Sequence, residues 1–257
     1  MGSITAADGT TLALRRTGTG VPVVLVHGSA GGLESWDPVV PFLEGFEVWT
    51  YTRRGYPGSG EARDKTFADD VADLTAVLAE VGSPAHLVGG SYGGTVVLHA
   101  ARDGADIRSL TVWEAPLYSA GPVLRPVLDR YRQHLDDGNL ASAGRLFAED
   151  VARVPAAMLD ALGDGVAMER AEAIGCLHDL EAMAADDPDL DRWAGIAVPT
   201  LLMRGSDTWS PMPETMAALA AVLPRAHRAT LDGLNHFATH TAPDVWAGTL
   251  HRFLSEH

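Results

Sequence analysis

The chain has 257 residues, 46% of them hydrophobic and 21% charged, with a formal net charge of −15 and a single cysteine, Cys176. Such a charge repels phosphate backbones and anionic lipid surfaces, so neither nucleic acid nor membrane is an expected partner. A lone cysteine excludes an intramolecular disulfide, and a chain of this length can bury a core without one. No apolar run is long enough to span a bilayer, and Met1 to Ala6 carries no basic-then-apolar leader, so a cytoplasmic location is the expectation.

In chain order, the first part reads as strand–turn–strand: Asp8-Gly9 signals the turn, and Thr11 to Thr17 follows as a short strand. Pro22 to Val26 is a continuous apolar burst, the mark of a strand buried on both faces. Glu47 to Tyr51 reads as another strand. Val71, Leu74, Val77 and Leu78 recur at helical spacing, so a helix is predicted over Phe67–Val81 with Gly82 as its stop. His86 to Val88 is a short buried strand, Thr95 to Arg102 is helical, and Leu110 to Trp113 is a strand again.

From about Ala115 to Ala194 no strand is predicted. Helical stripes replace it, for example Val127, Leu128, Tyr131 and Leu135, or Ile174, Leu177, Leu180 and Met183. Strands return at Pro199 to Met203 and Ala226 to Leu231, and Asp244 to Leu254 closes the chain as an amphipathic helix. Alternating strands and helices imply a mostly parallel sheet covered on both faces. An all-helical insertion at residues 117–194 reads as a lid, with residues 1–116 and 195–257 forming the core.

Four segments carry chemistry. Gly89-Gly90-Ser91-Tyr92-Gly93 lies between a strand and a helix. A serine there needs a sharp, strained turn, and small neighbours let strand and helix approach. The turn lifts the hydroxyl above the sheet at a helix N-terminus, where negative charge is favoured. His27-Gly28-Ser29-Ala30-Gly31-Gly32 follows a buried strand, and its amides, with that of Tyr92, can hold an oxyanion; Ser29 and Tyr92 are the candidate donors. His27 itself is expected to brace the loop.

Gly233-Leu234-Asn235-His236 follows the last strand and supplies a base for a weakly acidic serine hydroxyl. His240 is its nearest competitor. An acid must then orient the imidazole. Asp207, after the strand Leu201 to Met203, is the favoured candidate, and Glu114, which also closes a strand, is the alternative. The order serine, acid, histidine is that of an α/β-hydrolase triad.

These motifs resemble the lid-bearing α/β-hydrolase superfamily over nearly the whole chain. The resemblance rests on His27-Gly28, Gly89-Gly90-Ser91-Tyr92-Gly93, Asp207-Thr208-Trp209-Ser210-Pro211 and His236. Arg53-Arg54-Gly55-Tyr56-Pro57-Gly58-Ser59 adds a familiar loop. It implies an α/β fold with an eight-stranded, mostly parallel sheet and a triad of Ser91, Asp207 and His236. The chain departs from the usual pattern at Thr52, and Gly205 sits one residue closer than usual to the acid. Glu114-Ala115-Pro116 resembles a Glu-Pro-Pro stretch of a bacterial subgroup in which the acid follows the sixth strand.

A serine at position 91 points away from epoxide opening and dehalogenation, which use aspartate there. The expected activity is hydrolysis of an ester, thioester or lactone of a small apolar molecule, without metal or cofactor. The alternatives are a carbon–carbon-cleaving or cyclising enzyme on the same scaffold, or a ligand-binding receptor. Gly28, Tyr118, Tyr131 and Trp209 are the expected substrate contacts, and Phe147 and Met183 are among the apolar lid residues that can line a pocket. The sequence does not fix the oligomeric state.

Overall fold

The computed structural model describes residues 1–163 and 168–257. Strands β1 (Gly2–Thr5), β2 (Thr11–Gly18), β3 (Val21–Val26) and β4 (Phe46–Tyr51) come first, then helix α1 (Phe67–Val81), β5 (Ala85–Gly90), α2 (Tyr92–Arg102) and β6 (Ile107–Trp113). Helices α3 (Arg125–Asp136), α4 (Leu140–Leu146), α5 (Ala156–Leu162) and α6 (Arg170–Ala185) follow, and then β7 (Thr200–Gly205), α7 (Met212–Val222), β8 (Ala226–Leu231), α8 (Ala238–Thr241) and α9 (Pro243–Glu256).

All eight strands form one sheet in the order β1-β2-β4-β3-β5-β6-β7-β8. Pairing is antiparallel for β1–β2 and β2–β4 and parallel from β4 onward. The apolar run of β3 explains its central place. Val24 and Val26 point to the face covered by α1 and α2, and pack with Leu74, Val77, Val96 and Val97. Val23 and Leu25 point to the opposite face, and pack with Trp246, Leu250 and Phe253 of α9. The period of two thus fills two cores from one strand. Trp246 is fully buried in the second core, where truncation to alanine costs roughly 3–5 kcal/mol.

Local signals set α1. The Thr66 amide donates to the Asp69 carboxylate at 2.8 Å, half of a capping box that satisfies an orphan amide. At the other end Gly82 adopts φ +74°, the left-handed conformation that glycine takes at no steric cost.

Between β6 and β7 the described residues form helices, turns and loops but no strand. A π-turn at Phe147–Val151 separates α4 from α5. The buried side chains of this segment, Leu128, Tyr131, Leu135, Leu180 and Met183 among them, join the core on the α1/α2 face. Residues 164–167 of the predicted lid lie outside the described residues. Among the described residues no helix is long and apolar enough to cross a membrane.

Candidate active site

The strand-to-helix turn at β5–α2 is built as its composition predicts. Ser91 adopts φ +54°, ψ −125°, a strained conformation for a residue with a Cβ. Its amide donates to Trp113 O at 2.8 Å, which ties the turn to the end of β6. The flanking glycines are sterically required. A Cβ on Gly89 would stand 2.2 Å from Gly93 O, and one on Gly93 would stand 2.2 Å from Val26 O. Gly28 is less tightly placed, since a Cβ there would stand 3.0 Å from the Ser91 Cβ.

His236 lies between β8 and α8, and its Nδ1 is 2.7 Å from Glu114 Oε2. Glu114 is fully buried at the end of β6 and has φ +45°. It also accepts the Gly205 amide at 2.8 Å and the Thr208 hydroxyl at 2.9 Å. Three donors surround this one carboxylate; with Nδ1 of His236 donating to it, the lone pair of Nε2 is left open. Among the described residues neither Ser91 Oγ nor His236 Nε2 has a hydrogen-bond partner, and both residues line the same two cavities.

The expected pairing of Asp207 with His236 is not found. The Asp207 carboxylate is exposed and, among the described residues, accepts only the neighbouring Ser206 hydroxyl, at 2.8 Å. Its segment contributes through the next residue, Thr208, which reaches Glu114 instead. The physical reason is the backbone. The Asp207 amide donates to Leu234 O at 2.9 Å, and that turn leaves the short aspartate side chain in solvent. The competitor base, His240, has its Nδ1 3.0 Å from the Thr239 hydroxyl and no carboxylate partner among the described residues.

The loop 27–30 after β3 faces the turn. His27 is buried, and burial beside Arg53 lowers its pKa to about 3, so the ring is neutral at ordinary pH. Its Nδ1–H donates to Gly28 O at 2.7 Å and its Nε2 accepts the Arg53 amide at 2.9 Å. His27 is therefore a brace. Ser29 and Tyr92 line the smaller cavity together with Ser91, and the Ser29 amide has no partner among the described residues.

The two cavities differ in size and lining. The larger, about 330 Å³, is bounded by Gly28, Trp36, Trp113 and Phe237 as well as Ser91 and His236. The smaller, about 30 Å³, is bounded by Phe147, Val151, Met183 and Met212. Phe147 and Val151 belong to the π-turn, a geometry that often marks functional sites. Gly28 thus lines the larger cavity, and Phe147 and Met183 the smaller. Tyr118 and Tyr131 do not: Tyr118 is 43% exposed and lines neither cavity, and Tyr131 is buried with its hydroxyl on Ala173 O at 3.0 Å. Trp209 lines neither cavity but stands 6.0 Å from the His236 ring, its indole donating to Ala152 O at 2.7 Å. Cys176 is buried, and burial pushes its thiol up to about 12, which leaves it inert.

Sequence reasoning missed Thr208 and a set of buried charges behind the loop, Arg53, Lys65, Asp70 and Asp179. The signal for the last was present: Asp179 follows Cys176 by three residues and precedes Met183 by four, on an otherwise apolar helix face.

A family model described as the alpha/beta hydrolase family matches residues 23–249. An alpha/beta hydrolase from Sphaerobacter thermophilus has a solved structure that superposes with a TM-score of 0.85 at 29% identity, covering 98% of this chain and 99% of that one. A pimeloyl-[acyl-carrier protein] methyl ester esterase from Xanthomonas campestris is 28% identical over 255 residues, 93% of this chain and 96% of the esterase. A non-heme haloperoxidase from Rhodococcus erythropolis is 33% identical over 107 residues, a match that spans 40% of this chain and only 39% of that protein.

Proposed function

The chain belongs to the α/β-hydrolase family, and from that premise we propose that it is a serine hydrolase that cleaves a small, apolar carboxylic ester through Ser91, His236 and Glu114. The observation that carries the reading is the Glu114–His236 hydrogen bond of 2.7 Å at the mouth of a site whose serine sits in a strained turn. The resemblance to a methyl ester esterase over nearly the whole chain favours an ester over the other bonds this fold cleaves.

In this reading His236 Nε2 takes the Ser91 proton as Oγ bonds to the substrate carbonyl carbon. The carbonyl oxygen becomes an oxyanion held by the amides of Ser29 and Tyr92. Collapse breaks the bond to the alcohol oxygen, which leaves with the proton from His236. Water then gives its proton to His236 and attacks the acyl-serine, releasing a carboxylic acid and restoring Ser91. Glu114 stabilises the imidazolium that forms in both halves. We assign residues 117–194 the role of a cap over this site, in keeping with Phe147 and Met183 on its wall.

The test is labelling with a fluorophosphonate, followed by peptide mass spectrometry. An adduct on Ser91 that His236→Ala abolishes is the expected result. A folded protein without that adduct rejects an activated Ser91 and leaves the ligand-binding reading in its place.

A further inference from the structure

Behind the loop 27–30 lies a group of four charges, all sealed from solvent. Arg53 forks onto Asp179 at 2.9 and 2.7 Å, Lys65 meets Asp179 at 2.6 Å and Asp70 at 3.2 Å, and Arg53 approaches Asp70 at 3.4 Å. Two positive and two negative groups balance, the condition under which burial of charge is tolerable. Burial alone would raise the Asp179 carboxyl, but Arg53 and Lys65 beside it hold it well below the usual carboxylate range. Lys65 is the single lysine of the chain. Asp179 alone of the four comes from the helical segment, on α6.

This cluster grips every residue of the loop. Arg53 Nε donates to His27 O at 3.1 Å and its NH2 to Gly28 O at 3.0 Å. The Ser29 hydroxyl donates to Asp179 Oδ2 at 2.7 Å. Tyr56 donates its hydroxyl to the same oxygen at 2.7 Å and accepts the Ala30 amide at 3.2 Å. The other side of the oxyanion site is held too. The Tyr92 hydroxyl donates to Asp70 at 2.7 Å, and its ring faces Arg53 at 4.3 Å and Lys65 at 4.9 Å. Ser29 and Tyr92, which line one cavity with Ser91, are therefore both anchored, through their side chains, in one charge cluster.

We propose that Asp179 is a positioning residue: from α6 it aims the Ser29 amide at the oxyanion, so that the oxyanion site is complete only while α6 is docked on the loop. The proposal rests on the reading of Ser91 as nucleophile and of Ser29 and Tyr92 as donors. Because the aimed amide meets charge that exists only in the tetrahedral state, loss of aim lowers kcat and leaves KM in place. Coupling between bound states is reciprocal, so a tetrahedral adduct on Ser91 must tighten α6 on the cluster.

Ser29→Ala removes the hydroxyl link and leaves the four charges paired, so it tests the proposal without the folding risk of Asp179→Asn. Expected for Ser29→Ala is a fall in kcat of about tenfold, a part of the 10²–10³-fold that loss of a whole oxyanion donor costs, with KM within about twofold. Ser29→Thr, which keeps a hydroxyl, should return most of the rate. Acylation of Lys65, followed by mass against the N-terminal amine, reports whether α6 is docked. A trifluoromethyl ketone that adds to Ser91 should slow it in the wild type and not in Ser29→Ala. Equal kcat in wild type, Ser29→Ala and Ser29→Thr, or Lys65 acylation indifferent to the ketone, overturns the proposal. A wild-type Ser91 that forms no ketone adduct is a different failure, because it removes the hydrolase reading and the proposal with it.

Discussion

The Thr208 hydroxyl donates at 2.9 Å to the same Glu114 oxygen that holds the His236 imidazole. The Glu114 carboxylate is thus buried, triply hydrogen-bonded and placed at the end of β6, while the residue next to Thr208, Asp207, faces solvent. A carboxylate offers an acceptor to all three donors, and an amide does not: its NH₂ must confront a donor or turn the imidazole to the wrong tautomer. Glu114→Gln should lower kcat by at least about 10²-fold, with the logic of an orienting acid in a triad. Asp207→Asn should stay within about twofold of the wild type. Steady-state kinetics on one ester settles it, and the reverse ranking assigns the role to Asp207.

Much of the scaffold is legible in the sequence, because strong patterns dictate it. Helix Phe67–Val81 and its Gly82 stop occur where apolar spacing places them, and the apolar burst of β3 lies at the centre of the sheet. Strand β1 is legible only as the first arm of a strand–turn–strand around Asp8-Gly9, without bounds, since Gly2–Thr5 is an exposed edge with no alternating pattern. Helix α2 begins at Tyr92, three residues before Thr95, because the turn and its packing override the poor helix propensity of Gly93 and Gly94. The acid is ambiguous for a topological reason. β6 and β7 are neighbours, so Glu114 and Asp207 both close strands beside the same histidine. Only the local turn, with Asp207 N on Leu234 O, sends one of them outward. Asp179 stands out in the sequence as an aspartate on an apolar helix face, but its role does not, because its partners Arg53, Lys65 and Ser29 are distant in sequence.

Acid should destabilise the fold before its carboxylates titrate. Burial lowers His27 to about 3 and His86 to about 4, whereas both rings titrate near 6.5 once unfolded. Below pH 6.5 the unfolded chain binds protons that the folded chain refuses, so stability falls as pH drops from 6.5 toward 4. Each proton contributes at most about 1.4 kcal/mol per pH unit, and the two rings together about 2.7. Thermal melts between pH 7 and pH 4 measure the slope. His86→Gln should remove roughly half of it, and an unchanged slope would mean that His86 protonates freely in the fold.

Glycine tolerance should split sharply between the serine turn and the last helix. Gly93→Ala drives a methyl to within 2.2 Å of Val26 O and 2.6 Å of His27 O, backbone atoms of the central strand and its loop. The expected cost is about 3 kcal/mol or more, at or beyond the upper end for overpacking. Gly248, exposed inside α9, has nothing within 4 Å of such a methyl. Gly248→Ala should therefore gain about 0.5–1 kcal/mol from helix propensity. Urea unfolding of the two variants gives both signs in one experiment.

The unequal cavities beside Ser91 predict an asymmetric substrate. An ester bound at the serine has two arms, and the space is about 330 Å³ on one side and about 30 Å³ on the other. The smaller space takes on the order of two water-sized groups, so one arm must be short. The larger side, flanked by Trp36, Trp113 and Phe237, suits a bulkier apolar arm. Phe147 and Met183 close the small side. Phe147→Ala should therefore raise kcat/KM about tenfold or more for longer chains on one arm and leave the other arm's preference unchanged. Two ester series, one extended in the acyl chain and one in the alcohol, identify the arm. A response in both series, or in neither, would show that Phe147 does not set the limit.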